Sequence, residues 1–334
     1  MYQVSVLVPV YGVERFIEKC ARSLFEQTYD NLEFVFVDDC SQDKSIEILK
    51  SVMEDYPNRK DSVRIIRHEK NRGIAAARNT ALDNAHGIFI CFVDSDDYLS
   101  PEAVRLFVAK QEETGADIVS GNMYNVYLNG MVKGYEPVYT NRHEMIEKTL
   151  ESLSSGTHAL WRRMIRLSLF NDYHIRTKEG LNCLEDCQIM PQLAYYARSV
   201  AKIDECVYYY NRTNERSILT VTGNSQQCKI WRQSIESIEL VEKFFADKEP
   251  EYYALARRFM AATLASRMNL AARHRERAFF DEMKARIKSG YTDCYDKIGW
   301  NKPVKRWFAC NYNLSGFSRR LFALLKSIVP RGSH

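Results

Sequence analysis

No continuous apolar stretch in the 334 residues is long enough to span a bilayer, so a membrane-embedded protein is not expected. The start, Met1-Tyr-Gln-Val, leads straight into a strand pattern, and no secretory signal is expected there. No G-x-G-x-x-G follows the first strand, which removes a dinucleotide-dependent dehydrogenase. Pro9-Val-Tyr-Gly12 is also not the glycine-rich phosphate loop that a nucleotidyltransferase would need. The nine cysteines include no CxxC pair and fit a reducing compartment, and Cys183 and Cys187 lack two further ligands at zinc spacing. A net charge of +4 without a nucleic-acid-binding motif argues against nucleic acid as a partner. No internal repeat or low-complexity tract is evident. These absences leave a soluble or membrane-peripheral protein of the cytoplasmic side.

Three nearly unbroken apolar or β-branched runs, Val4 to Val10, Leu32 to Asp38 and Ser62 to Arg67, have the length of strands. Helical patterns separate them: Glu14 to Gln27, Ser41 to about Glu54, and Ile74 to Ala85. A fourth run, Gly87 to Val93, ends in Asp94-Ser-Asp-Asp97. The alternation predicts a largely parallel sheet covered by helices on both faces, with ligands at the carboxyl ends of the strands. Tyr11, Asp38-Asp39 and Asp94 to Asp97 all fall at those ends. Clustered carboxylates there suit Mg²⁺ or Mn²⁺, which take a few oxygen ligands and fill the remainder with water and substrate phosphates. Alone, the same acids also read as turn chemistry before the N-cap Ser100-Pro101.

Five ordered motifs resemble the inverting GT-A glycosyltransferases of family 2. They are Val4 to Tyr11, Gln27-Thr28-Tyr29, Val37 to Ser41, Asn71-Arg-Gly73 with Ala77-Arg78-Asn79, and Val93 to Asp97. The clear likeness covers roughly residues 3–122 and a looser one continues to about 220. Cys40 stands where glycine or asparagine is common, and Gly12 where asparagine is frequent.

The resemblance implies a metal-dependent inverting glycosyltransferase that passes one sugar from a nucleoside diphosphate, with UDP favoured, to a hydroxyl of a glycan or lipid-linked glycan. A catalytically silent nucleotide-sugar-binding or scaffold protein of the same fold is the alternative. The donor site implied comprises Pro9, Val10, Tyr11, Glu14, Asp39, Asn71, Gly73, Arg78, Asp94 and Ser95. Tyr11 would offer a ring for stacking and Asp39 an acceptor for the base N–H. Asp96 would be the direct ligand of Mn²⁺ or Mg²⁺, and Asp94 would lie near the ribose or reach the ion through water. Arg78 would either orient the diphosphate or brace the acidic loop. Glu185-Asp186 opens another helical pattern, and the likeness makes Asp186 the base and Glu185 its neighbour; dipole complementation at the helix start is the plain reading.

The hairpin signal Asn129-Gly130 predicts a type I′ turn near the acceptor mouth. His158 and Trp161 read either as core or as groups facing the sugar. Arg212 and Arg216 belong to a candidate lid after the tyrosine-rich run Val207 to Tyr210. The division expected is a GT-A catalytic domain over 1–222, with 1–122 binding the nucleotide sugar and 123–222 the acceptor, then a helical subdomain over 223–328. Residues 329–334 look like a protease-site remnant of expression. From Asn301 to Lys326 six cations and no acid are interleaved with aromatics, and two readings stay open: an anionic membrane surface, on the inner face of the plasma membrane, or packing on the protein itself. Oligomeric state, sugar and linkage are not legible.

Overall fold

The computed structural model describes residues 2–151, 156–214 and 224–295. The basic segment 301–326, the terminal remnant and Arg216 lie outside the described residues. The first ninety residues alternate as expected: β1 (Val4–Val10), α1 (Ile17–Phe25), β2 (Leu32–Asp38), α2 (Ser45–Glu54), β3 (Val63–Arg67), α3 (Ile74–Asp83) and β4 (Phe89–Phe92). β1 and β2 are buried along their whole length because helices cover both faces, which is why they read as continuous apolar runs rather than alternating ones. α2 starts at Ser45 rather than Ser41. Asp38 takes the Ser41 N–H at 2.8 Å and Asp43 takes that of Ser45 at 3.1 Å, so these acids hold a turn where the helix was expected.

β5 (Tyr98–Leu99) and α4 (Ala103–Thr114) follow, then β6 (Ile118–Tyr127), β7 (Gly130–Gly134), α5 (Arg142–Thr149), β8 (Arg163–Arg166), α6 (Leu167–Asp172), α7 (Glu185–Tyr196) and β9 (Val200–Asn211). All nine strands form one sheet in the order β3-β2-β1-β4-β8-β6-β9-β5, with β7 paired to β6. β3, β2, β1 and β4 are mutually parallel, whereas β8 runs against both β4 and β6. The sheet is thus parallel in its first half and mixed in its second. β6 and β9 are parallel again, and their ladder carries a register shift between Ser120 and Met123.

The β6–β7 hairpin forms, but its two loop residues are Leu128 and Asn129, since Tyr127 pairs with Gly130. Neither loop residue has a positive φ, whereas Gly130 has φ +140°. The glycine therefore relieves the residue after the turn, and the type I′ expectation is corrected.

The sequence patterns Ile230 to Phe245, Tyr252 to Arg273 and Glu276 to Ile287 predict three helices in the last third. They fall in α8 (Asn224–Phe245), α9 (Pro250–His274) and α10 (Arg277–Gly290), and a short, unexpected α11 (Thr292–Tyr295) follows. The chain separates into two compact units, 1–256 and 257–334, so α8 belongs with the sheet. In the second unit Phe279, Phe280, Met283 and Ile287 bury one face of α10. Arg257 there donates to the Gly290 carbonyl at 2.6 Å and pairs with Asp293 at 3.1 Å. No helix among the described residues is long and apolar enough to cross a membrane.

Candidate active site

β4 delivers its chain into the turn Asp94 to Asp97, which the end of β9 holds in place. Tyr208 donates its hydroxyl to Asp97 Oδ2 at 2.7 Å and accepts the Asp94 N–H at 3.1 Å. The Asn211 N–H reaches Asp97 Oδ1 at 2.7 Å, and the Asn211 side chain donates to the Asp96 carbonyl at 3.1 Å. Asp97 is therefore a buried anchor. Ser95 is buried as well, and Asp94 and Asp96 retain partial exposure. Burial, then the neighbouring Asp94 charge, pushes the Asp96 carboxyl above its ordinary range.

Asp96 Oδ2 accepts a hydrogen bond from Asn214 at 2.8 Å. A half-buried carboxylate crowded by like charge and held by a neutral amide is the oxygen chemistry that a hard divalent cation relieves, so these residues fit Mg²⁺ or Mn²⁺. Among the described residues no three His, Cys, Asp or Glu side chains gather into a ready-made metal cluster.

Arg78 is the hinge of the arrangement. Its guanidinium, with the residue only 2% exposed, pairs with Glu185 at 2.6 Å and with Asp94 at 2.9 Å. The two acidic motifs, ninety residues apart in sequence, are thereby joined across one cation. Arg78 thus takes the bracing arrangement.

Glu185 and Asp186 open α7 after Leu184, which sits in the left-handed region at φ +59°. Such a backbone is costly for leucine and is found where surrounding packing dictates it. Burial raises the Glu185 carboxyl first; the Arg78 cation lowers it and the Asp186 charge raises it again, leaving it at about 7. Asp186 is also raised, chiefly by burial, with Arg78 opposing. Two carboxyls at one helix start thus hold protons more readily than ordinary acids.

A third group of contacts centres on Asp39. Asp39 is 2% exposed, and its Oδ1 accepts the Arg72 N–H at 2.8 Å while Oδ2 accepts the Gly73 N–H at 2.7 Å. His68 Nδ1 lies 2.7 Å from the same Oδ1, with its Nε2 on Thr80. Asn71-Arg72-Gly73 is thus folded onto Asp39. Gly73, at φ +88°, also faces Asn182, whose side-chain atoms would lie 2.3 Å from an added Cβ. No other residue fits there. Asn182 is two residues before the strained Leu184, so the loop at 71–73 and the α7 start are packed against one another.

Pro9 and Val10 are buried in β1, leaving Tyr11, 54% exposed, and Glu14 at the rim. Glu14 and Asp43 cross-link their turns: the Glu14 N–H donates to Asp43 at 3.0 Å and Glu14 accepts the Lys44 N–H at 3.2 Å. Gly12 and Cys40 have φ +65° and +63°. Glycine and asparagine tolerate that backbone best, so Gly12 suits its position and Cys40 carries strain.

His158 is buried, with its ring on the Thr149 carbonyl, and burial lowers its pKa to about 4. Trp161 stacks on Tyr210 at 5.1 Å and lies 4.6 Å from Tyr208, beneath the acidic turn. Arg212 covers the Tyr210 ring and donates to Asn125. Tyr208, Asn211 and Asn214 escaped notice as individual residues, although the tyrosine-rich run was legible. Its period of two, which puts Tyr208 and Tyr210 on one face, was the available signal.

Similarity to known proteins decides what carries this geometry. The family model described as glycosyl transferase family 2 matches residues 5–166. Residues 5–166 are a family 2 glycosyltransferase domain. The chain is 32% identical over 226 residues to the uncharacterized glycosyltransferase EpsJ of Bacillus subtilis, covering 65% of this chain and 63% of that protein. It is 32% identical over 223 residues to the poly(ribitol-phosphate) beta-N-acetylglucosaminyltransferase TarS of Staphylococcus aureus, covering 64% of this chain and 36% of TarS. The matched region thus spans less than two thirds of the length of either relative.

The fold is also that of the solved S. aureus TarS 1–349 in complex with UDP-GlcNAc, with TM-score 0.58 and 20% identity over 86% of this chain and 92% of that one. It is shared with the mannosyltransferase PcManGT of Pyrobaculum calidifontis in complex with GDP-Man and Mn²⁺, with TM-score 0.52 and 16% identity over 99% and 89%. A GT-A-like α/β sheet is therefore the frame of the family 2 domain.

Proposed function

We propose that the protein is an inverting, metal-dependent glycosyltransferase that moves one sugar from a nucleoside diphosphate, UDP favoured, to a hydroxyl of a glycan or lipid-linked glycan. The observation that carries this reading is the Arg78 bridge, which brings the Asp94–Asp96 turn and the Glu185–Asp186 helix start to one cation. A site for the departing diphosphate and a base for the incoming hydroxyl then adjoin. The UDP-GlcNAc and UDP bound by TarS structures support a uridine donor, and the Mn²⁺ in PcManGT supports a divalent ion.

In this reading Tyr11 and Glu14, on the β1 backbone of Pro9 and Val10, flank the base, and Asp39 aligns Asn71 to Gly73 beside it while offering the remaining lone pair to a base N–H. Asp96 holds Mn²⁺ or Mg²⁺, with Asp94 and Ser95 shaping the ribose side. When bound, the ion supplies Lewis-acid neutralisation of the leaving diphosphate. Asp186 takes the proton of the acceptor hydroxyl as that oxygen attacks the anomeric carbon from the face opposite the leaving group, and the anomeric C–O bond to the diphosphate breaks. Glu185, tied to Arg78, positions Asp186. We assign this chemistry to 1–222 and an accessory role to the C-terminal part, 223–328.

Calorimetric titration of UDP, GDP, CDP and dTDP, each with Mn²⁺ and with EDTA, tests the donor half. Metal-dependent binding of one nucleotide is expected, with the dependence lost in Asp96→Ala. Unchanged dependence in the variant removes Asp96 from the ligand set. Absence of any nucleotide binding favours the silent scaffold instead.

A further inference from the structure

α7 carries more than the two acids at its start. Glu185, Gln188, Gln192 and Tyr196 lie at i, i+3, i+7 and i+11, one stripe of the helix, so Gln188 sits only about 5 Å along the axis from Glu185. From Gln188 onward this stripe is one wall of a cavity of about 570 Å³ whose other walls are α8 and the segment at 176–178. Gln188, 1% exposed, ties all three walls: it accepts the Lys178 N–H at 2.8 Å and donates to Ser237 of α8 at 3.0 Å.

The lining is cationic. Arg176, Lys178, Lys243 and Lys248 stand around it against the single acid Asp247. The whole chain carries a net charge of only +4, so this concentration is local. Arg176 is engaged by Asp83 at 2.9 Å and Lys248 by Asp247 at 3.4 Å. Lys178 and Lys243 are exposed, on opposite walls. The floor is aromatic: Tyr196 is fixed by stacking on Tyr173 at 3.7 Å and meets Phe244 edge-on at 5.9 Å. Ammonium groups on two sides of a ring-lined floor suit a phosphate ester attached to a sugar. The ammoniums take the anion as point charges and the rings take the apolar face of the sugar.

We infer that this cleft between α7 and α8 is a subsite for the phosphate of an acceptor saccharide, with the acceptor's reacting end directed along α7 toward its start. The inference rests on the transferase reading for its direction, and not for the existence of the anion site. The phosphate belongs either to a soluble sugar phosphate or phosphodiester, or to the diphosphate of a lipid-linked sugar.

The test uses the full chain with its donor site filled by UDP and Mn²⁺. Glucose 1-phosphate, and separately phosphatidylcholine vesicles carrying undecaprenyl diphosphate, are titrated into wild type, into the Lys178→Gln, Lys243→Gln double variant, and into the double Lys→Arg variant. One probe is expected to bind wild type and the arginine variant and to bind the glutamine variant at least about tenfold more weakly, with UDP affinity equal in all three. The probe that binds identifies the source of the phosphate. If neither probe binds wild type, or if the glutamine variant binds as wild type does, the subsite is refuted. Failure of UDP to bind wild type would instead refute the donor reading, because the lysines do not enter that site.

Discussion

Glu185→Gln offers a sharp test of the electrostatics at the α7 start. Glu185 is 9% exposed and its carboxyl titrates at about 7 instead of 4.5, because burial outweighs the help of Arg78. Between those values the unfolded chain has released this proton and the folded protein retains it. Stability attributable to this group is therefore complete below about pH 4.5 and falls as pH rises to about 7. The slope is about 1.4 kcal/mol per pH unit, or roughly 3 kcal/mol over the window.

Glutamine has the shape of the protonated acid and no such titration. Wild type and variant should be similarly stable near pH 4.5, and the variant should become the more stable by up to about 3 kcal/mol at pH 8. Urea unfolding at a series of pH values, in EDTA and followed by tryptophan fluorescence, measures the difference directly. Groups common to both proteins cancel in it. A difference that stays flat with pH would refute the assignment, since Glu185 would then be ionised in the fold throughout.

Asp186→Asn should leave UDP and Mn²⁺ binding intact and reduce sugar transfer by about 10²–10⁴-fold, read by steady-state transfer alongside calorimetry. Equal losses of affinity and turnover would contradict a base. Tyr208→Phe removes the hydroxyl that donates to Asp97 and accepts from the Asp94 backbone, and leaves the buried Asp97 oxygen short of a partner. It should cost about 1–3 kcal/mol in unfolding free energy and weaken Mn²⁺-dependent UDP binding; unaltered binding would mean that the turn is held without Tyr208.

Much of the first hundred residues was legible in the sequence, because a doubly covered parallel sheet demands long apolar strands and short polar connections. β1 and β2 begin and end where their apolar runs do, and the acids after β4 mark its carboxyl end. Glu185-Asp186 was visible as acids at a helix start, but local chemistry alone read them as dipole complementation, and the family likeness singled them out.

The sequence did not determine which acid does what. Asp94, Asp96 and Asp97 look equivalent in a row, yet only the fold buries Asp97 under Tyr208 and Asn211 and leaves Asp96 half-exposed. Asp39 reads as a lone acceptor, and only the return of residues 71–73 gives each of its oxygens a backbone N–H. The Arg78 bridge is the clearest case, because its partners lie 16 and 107 residues away. Pattern along a chain fixes which face of an element turns inward, for that depends on a period of two or 3.6 residues. Which charges meet depends on how distant elements stack, and burial then sets their protonation.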